Sequence, residues 1–198
     1  MFDGFLILSA YLLGSLSTAV ITSKLLGLPD PRTQGSGNPG ATNVLRIGGR
    51  KAAVITLSGD MLKGLVAVLA GRLLGVDDAA IAAMGLAAFL GHLYPVFFGF
   101  RGGKGVATGL GVLMGISWPV GVAALATWLL VAALTRYSSL SALCAAILAP
   151  FYTAWFTDSP AFLTMAIMLC LLLVWRHRRN IRNLINDTES RIGGKKTK

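Results

Sequence analysis

The chain has 198 residues, a formal net charge of +10 and a mean hydropathy of +0.69, with 55% hydrophobic and 13% charged residues. So few charges on so apolar a chain argue against a soluble domain and for a membrane protein. The basic balance does not mark nucleic-acid binding, because no aromatic-interleaved basic domain stands outside the apolar stretches.

Positions 4–23, GFLILSAYLLGSLSTAVITS, run 20 residues without a charge between Asp3 and Lys24, the length of one membrane helix. Asp3 in place of a basic leading region, with Lys24 behind, argues against a cleaved signal, so the segment is expected to stay.

Positions 35–43, GSGNPGATN, satisfy G-x-G-x-x-G. That fingerprint carries its dinucleotide mechanism only when a strand delivers the first glycine, and here a membrane span precedes it. An anion site fits better. Gly35, Gly37 and Gly40 let successive backbone N–H groups converge, while Ser36, Asn38, Thr42, Asn43 and Arg46 add donors. A helix starting near Ala41 would point its positive end at the same place. The plainer alternative is a polar turn between spans, for which Gly, Asn and Pro are ordinary.

Ala52 to Gly71 is apolar except for Asp60 and Lys63, three residues apart on one helix face. Charges at membrane depth must pair or face a wet cavity, so the two are expected as structural support for a site. Ala79 to Phe100 follows, and His92 within it is expected to be a hydrogen-bonded structural residue. Positions 91–108, GHLYPVFFGFRGGKGVAT, resemble a P-loop only on the surface: Phe98 stands where Walker A needs Gly, and Gly105 where Ser or Thr is required. The short glycine loop presents Arg101 and Lys104 beside a helix starting near Val106, which suits a second phosphate contact. Alternatively the two cations only anchor topology.

Gly105 to Thr135 is ambiguous, since 31 residues make a helix of about 46 Å against a hydrocarbon core of about 30 Å. ISWPVG at 116–121 offers a break, giving helices from about Val106 to Ile116 and from about Trp118 to Thr135. Tyr137 to Thr157 and Ser159 to Trp175 complete seven segments. With the N-terminus outside, 16 of the 18 Lys and Arg then fall inside, and Asp3, Asp77, Asp78 and Asp158 fall outside. An unbroken Gly105–Thr135 span would put Arg136 and the basic tail outside.

In that tail, WRHRRNIRNLINDTESR at 175–191 sets His177 and Asn180 on one helix face. Near an anion site His177 becomes a candidate base or orienting donor; the arginines suit attraction to anionic lipid. Cys144 and Cys170 lie singly inside predicted spans, without metal or disulfide spacing. Asp30, Asp187 and Glu189 are too sparse for a carboxylate metal cluster, so no metal and no cofactor is expected.

These pieces together resemble the acyl-phosphate-dependent glycerol-3-phosphate acyltransferases, the PlsY family of bacterial inner-membrane enzymes. The family's G-S-G-N-x-G-A-T-N-V-x-R matches positions 35–46 throughout, its G-H-x-F/Y-P…G-G-K-G-V-A-T matches Gly91 to Thr108, and its Asp-x-x-Lys-Gly matches Asp60 to Gly64. The tail keeps His177, Asn180, Ile181, Leu184 and Glu189 of the third motif but has Asn183 for Arg, Asp187 for Gly and Arg191 for Lys; Ser17 stands where Pro is common.

The resemblance implies an all-α membrane protein of seven transmembrane helices with the C-terminus cytoplasmic. It implies one domain over 1–198 with cytoplasmic motif loops 32–51 and 99–105 and a basic tail 176–198, set in the bacterial inner membrane. The implied reaction moves a fatty acyl group from acyl-phosphate to the 1-hydroxyl of glycerol 3-phosphate, giving lysophosphatidate and phosphate for phospholipid synthesis. The lipid bilayer and the enzyme that makes acyl-phosphate are the other implied partners; nucleic acid is not one. Ser36, Arg46, Lys104, His177 and Asn180 would be catalytic, and Gly35, Gly37, Asn38, Gly40, Thr42, Asn43, Gly102, Gly103 and Thr108 substrate-binding. An acyl-phosphate is an activated anhydride, and its own oxygen could accept the hydroxyl proton, leaving the enzyme to position and neutralise.

A transporter of a phosphorylated molecule is the competing class, but such sites lie near the midplane between repeats, and here the polar clusters sit at one face with no repeat visible. Acyltransferases using H-x4-D are excluded, because Phe97 and Arg182 stand five residues after the two histidines.

Overall fold

The structure, a computed structural model, describes residues 1–193; Lys195, Lys196 and Lys198 of the expected basic tail lie outside the described residues. In chain order the helices are α1 (Phe2–Gly14), α2 (Thr18–Leu25), α3 (Ala41–Leu73), α4 (Asp78–Leu93), α5 (Val106–Ile116), α6 (Trp118–Thr135), α7 (Ser138–Phe156), α8 (Pro160–Arg176) and α9 (Arg178–Ile185), with a 3-10 turn at Val96–Phe98. No strand occurs among the described residues.

Four helical segments, Ala41–Leu73, Asp78–Phe98, Trp118–Thr135 and Ser138–Phe156, are each long and apolar enough to cross a membrane. Two bent pairs, α1 with α2 at 42° and α8 with α9 at 58°, bring the number to as many as six. α5 has only 11 residues, about 16 Å of helix. Its last residue nevertheless sits at the far end of the bundle, where the Arg72 guanidinium donates to the Ile116 carbonyl. Ser138, which starts α7, lies back at the first end, with its hydroxyl 3.2 Å from that of Thr42. Large apolar side chains face outward, Trp155 at 84% exposure and Phe151 at 68%, as a lipid-facing surface requires.

Two expectations change. The first segment is not one helix from Gly4 to Ser23: it breaks over Ser15–Ser17, and Ser17 is extended at φ −78°, ψ 93°. The break frees the Leu16 carbonyl, which accepts from Lys63 Nζ at 2.9 Å. The first motif loop does not run to residue 51 either. Residues 41–48 are helical, and Gly49 (φ 76°, ψ −174°) kinks α3 before the span proper. Only glycine takes that backbone readily, so a short helical turn belongs to the motif.

Close helix approach brings the site together. A Cβ on Gly64 of α3 would overlap the Thr108 carbonyl of α5, and one on Gly111 of α5 would overlap the Met61 carbonyl of α3. Without those methyls the two backbones touch, as small residues allow between membrane helices.

Candidate active site

Residues 27–40 form an irregular loop organised from beneath by one buried side chain. Asn43, 1% exposed, accepts from the Ser36 amide at 2.9 Å through Oδ1 and donates through Nδ2 to the carbonyls of Pro31 (2.9 Å) and Gln34 (3.0 Å). Gly35 and Gly37 take left-handed backbone, φ 63° and 71°. Asn43 therefore shapes the loop from inside with its side chain fully engaged. Arg32 fastens this loop to the next: it pairs with Asp30 at 2.6 Å and donates through Nη1 to the Phe98 carbonyl at 3.2 Å. The Arg32 guanidinium holds the Asp30 carboxyl below its usual value.

The second loop is pinned from both sides. The Gly103 amide donates to the His92 carbonyl at 3.1 Å, and Arg176 donates to the carbonyls of Gly102 and Gly103 at 2.9–3.1 Å. A Cβ at Gly102 would overlap the His92 carbonyl and one at Gly103 the His92 ring. These two glycines permit close packing behind the loop, and neither lines the cavity in front of it. Thr108 is wholly buried and also off the cavity wall.

Lys104 follows, its Nζ 2.5 Å from Asn180 Oδ1. Burial pulls its pKa from 10.5 to about 8; the Glu189 carboxylate opposes this, while Arg176, Arg46 and Arg179 add to it. The ammonium is thus charged at neutral pH and held among other cations. His177, 2% exposed, has Nδ1 2.9 Å from the Leu173 carbonyl. A carbonyl only accepts, so Nδ1 carries the proton and Nε2 the lone pair. Burial first, then Lys104, lowers the His177 pKa to about 4, which favours a neutral ring with Nε2 as an acceptor.

Glu189 joins these elements. It accepts from Ser139 Oγ and Asn180 Nδ2, each at 2.7 Å through Oε1, and from Asn183 Nδ2 at 3.2 Å through Oε2. Beneath the site, Asp60 and Lys63 form an ion pair at 2.9 Å, 3% and 4% exposed, with His92 Nδ1 3.5 Å from the same carboxylate. Asp60 and Lys63 are therefore paired, and His92 approaches the same carboxylate.

One cavity of about 1200 Å³ collects most of this. Gly35, Ser36, Gly37, Asn38, Gly40, Thr42, Asn43, Arg46, Lys104, His177 and Asn180 line it, with Asp60 at its wall. It continues between α5, α6, α7 and α8 over Leu110, Leu125, Trp128, Ala146, Ala149 and Leu169. A cationic, donor-rich end opening into an apolar groove fits a ligand with phosphate at one end and a hydrocarbon chain at the other. Arg32, Arg176, Ser139 and Glu189 also line it; none of them carries a site role in the sequence pattern, although Glu189 is marked there as a retained motif residue. For Glu189, the signal available was its place in the third motif, two residues after Asp187 in an arginine-rich tail.

A family model described as glycerol-3-phosphate acyltransferase matches residues 4–187. A glycerol-3-phosphate acyltransferase of Thioalkalivibrio sulfidiphilus is 60% identical over 190 residues, covering 96% of this chain and 94% of that protein. One of Methylococcus capsulatus is 57% identical over 187 residues, 94% of each. Among solved structures, the chain resembles PlsY (YgiH), an integral membrane glycerol 3-phosphate acyltransferase, in its glycerol 3-phosphate form: TM-score 0.93, 42% identity, 98% of this chain and 96% of that one. The lysophosphatidic acid form of the same enzyme gives TM-score 0.90 at 41% identity, with 96% and 95% covered.

Proposed function

The chain belongs to the glycerol-3-phosphate acyltransferase family of integral membrane proteins, and from that premise we propose that it transfers a fatty acyl group from acyl-phosphate to the 1-hydroxyl of glycerol 3-phosphate, giving lysophosphatidate and phosphate. The observation that carries this reading is the single cavity in which Arg46, Lys104 and the Ser36–Gly40 loop adjoin an apolar groove between helices. Both substrates bring phosphate, and one brings a hydrocarbon chain.

In this mechanism Lys104 and Arg46 neutralise the phosphates, and the side chains of Ser36, Asn38 and Thr42, with the amides of Asn38 and Thr42, cradle the leaving one. His177 Nε2 accepts a hydrogen bond from the glycerol 2-hydroxyl and so orients the 1-hydroxyl, whose own proton is left facing the acyl-phosphate. The hydroxyl oxygen attacks the acyl carbon, and the carbon–oxygen bond to phosphate breaks. With a pKa of about 4, His177 is a weak base, so a non-bridging oxygen of the acyl-phosphate takes the proton and the leaving phosphate carries it away. Phosphate release needs no metal in this scheme.

The same reading makes the chain one domain over 1–198 in the bacterial inner membrane, with seven crossing segments, the N-terminus outside and the site on the cytoplasmic side. The alternation of helix ends, Arg72 with Ile116 at one end and Thr42 with Ser138 at the other, and the distribution of basic residues support it. The enzyme that makes acyl-phosphate is a natural partner, since the labile donor has to be handed over.

Lysophosphatidate formation by the purified protein in lipid, with acyl-phosphate or acyl-CoA as donor, tests the proposal. Turnover with acyl-phosphate alone is expected, because a thioester offers no phosphate at the reacting carbonyl. Comparable turnover with acyl-CoA would overturn the phosphate-cradle mechanism.

A further inference from the structure

Beyond α9 the chain returns to the corner between α6 and α7. Asp187, in left-handed backbone at φ 52°, turns it out of the helix. The Ile192 amide then donates to the Arg136 carbonyl at 2.7 Å, and Arg136 Nη2 donates back to the Ile192 carbonyl at 2.9 Å. One residue along each segment of this contact, the Arg191 guanidinium lies 5.3 Å from the Tyr137 ring centre, and its Nε donates to the Tyr137 hydroxyl at 3.2 Å. The segment so fastened carries Glu189, which grips Asn180, which grips Lys104.

In the charge distribution Arg136 is one of the basic residues that set topology. That role requires a cation at the boundary and nothing more. The actual residue sits at the C-cap of α6 with φ 62°, where a side chain is disfavoured and glycine is at ease. An arginine kept there, with both its main chain and its guanidinium bonded to one distant residue, is an anchor.

Resting on the acyl-transfer reading above, we propose that Arg136 is a positioning residue: with Arg191 and Tyr137 it fastens residues 187–192 as a strap that holds Glu189 on Asn180 and so fixes the Lys104 ammonium at the phosphate site. The groups facing Lys104 are Glu189 from the strap, Asn180 and Arg179 from α9, Arg176 and His177 at the end of α8, and Arg46 from α3. Glu189 is the one carboxylate among them. Loosening the strap therefore leaves Lys104 among cations, and its ammonium gives up its proton more readily.

The test compares Arg136→Gly, which removes the guanidinium and relieves the left-handed backbone, with Arg136→Lys, which keeps a charged donor within reach of Ile192. The full chain is used, purified in lipid. Arg136→Gly is expected to melt no lower than the parent, yet to lose about fivefold in kcat/KM for glycerol 3-phosphate, with the alkaline fall of its pH profile moved to lower pH. Arg136→Lys is expected to restore most of both. Hydrogen exchange of residues 187–192 is measured on the same samples and should quicken in Arg136→Gly. Unchanged exchange would overturn the strap, whether or not the parent turns over acyl-phosphate. Faster exchange with unchanged kcat/KM and pH profile, or Arg136→Lys no better than Arg136→Gly, would overturn the positioning role. A parent inactive with acyl-phosphate but with faster exchange in Arg136→Gly would sink the reaction and with it the positioning role.

Discussion

Residues 35–43 and residues 177–192 deliver polar groups to the same cavity by opposite means. The first is shaped mainly by its backbone: two left-handed glycines and one buried Asn43 fold a short loop whose Ser36, Gly37 and Gly40 amides bond inward, at the start of α3. The second presents side chains, with Ser139, Asn180 and Asn183 converging on Glu189 and Arg191 lying over Tyr137. A backbone-built site is local, so one segment contains its whole specification. A side-chain site depends on where distant elements happen to meet. Lys104 stands between the two, touching the tail and facing the loop.

The largest effect should come from below both regions. Asp60 and Lys63 are nearly fully buried and paired at 2.9 Å, and Lys63 also bonds the Leu16 carbonyl at the α1–α2 break. Lys63→Met leaves an uncompensated carboxylate and should cost about 3–5 kcal/mol of stability. Asp60→Leu with Lys63→Met should recover part of that in thermal unfolding. A double variant no better than the worse single one would show that the pair does not act as a pair, and that loop and tail do not share this floor.

Next in size is Lys104→Ala, which removes the cation common to both regions. A loss of roughly 10²–10³ in kcat is expected if the ammonium acts as an oxyanion donor does. Orthophosphate inhibition should weaken in the same variant, and full activity would remove Lys104 from the mechanism. Ser36→Ala, measured in the same assay, shows whether the loop's hydroxyl shares that load.

Legibility followed the same division. The break at 116–118, the separate helices α5 and α6 and the helix start at Ala41 were all visible, because Ser-Trp-Pro and the glycine run write them locally. The broken first helix was not, since the partner of Leu16 is Lys63, 47 residues away. The turns at Gly35 and Gly37 could be read from the glycines, but not the inward use of Asn43, which looks in the sequence like one more phosphate donor. Gly102 and Gly103 looked like cradle residues, yet they are small because His92 packs against them. Glu189 stayed obscure because its meaning comes from Ser139, 50 residues earlier.

Asn43→Ala separates loop from tail more directly. It deletes three hydrogen bonds beneath residues 31–36 and should cost about 1–3 kcal/mol, the range for leaving buried partners unmade. Asn43→Asp keeps the acceptor for Ser36 but loses both donations, so it should fall between. Hydrogen exchange at residues 31–37 should rise in Asn43→Ala while residues 187–192 stay protected. Equal loosening of both segments would mean that they form one unit and the contrast fails.

The smallest effect is in the pH profile, where the two regions carry opposite expectations. Lys104 is depressed from 10.5 to about 8, and it binds phosphate only as the ammonium. In the free enzyme the charged form dominates below about 8, so kcat/KM should hold steady toward neutrality and fall above that value, about tenfold per unit. Bound phosphates favour the charged form, so the corresponding limb of kcat should lie higher. Glu189→Gln removes the neighbouring carboxylate and should move the kcat/KM limb downward, whereas Asn43→Ala should leave it in place. On the acid side, His177 is depressed from 6.5 to about 4 and stays neutral through pH 5–7. Any fall there should follow the second ionisation of the substrate phosphate, near pH 6, and persist in His177→Asn at a lower overall rate. An acid limb that vanishes in His177→Asn would make the histidine a titrating base, and the proton would then leave by the tail and not by the acyl-phosphate.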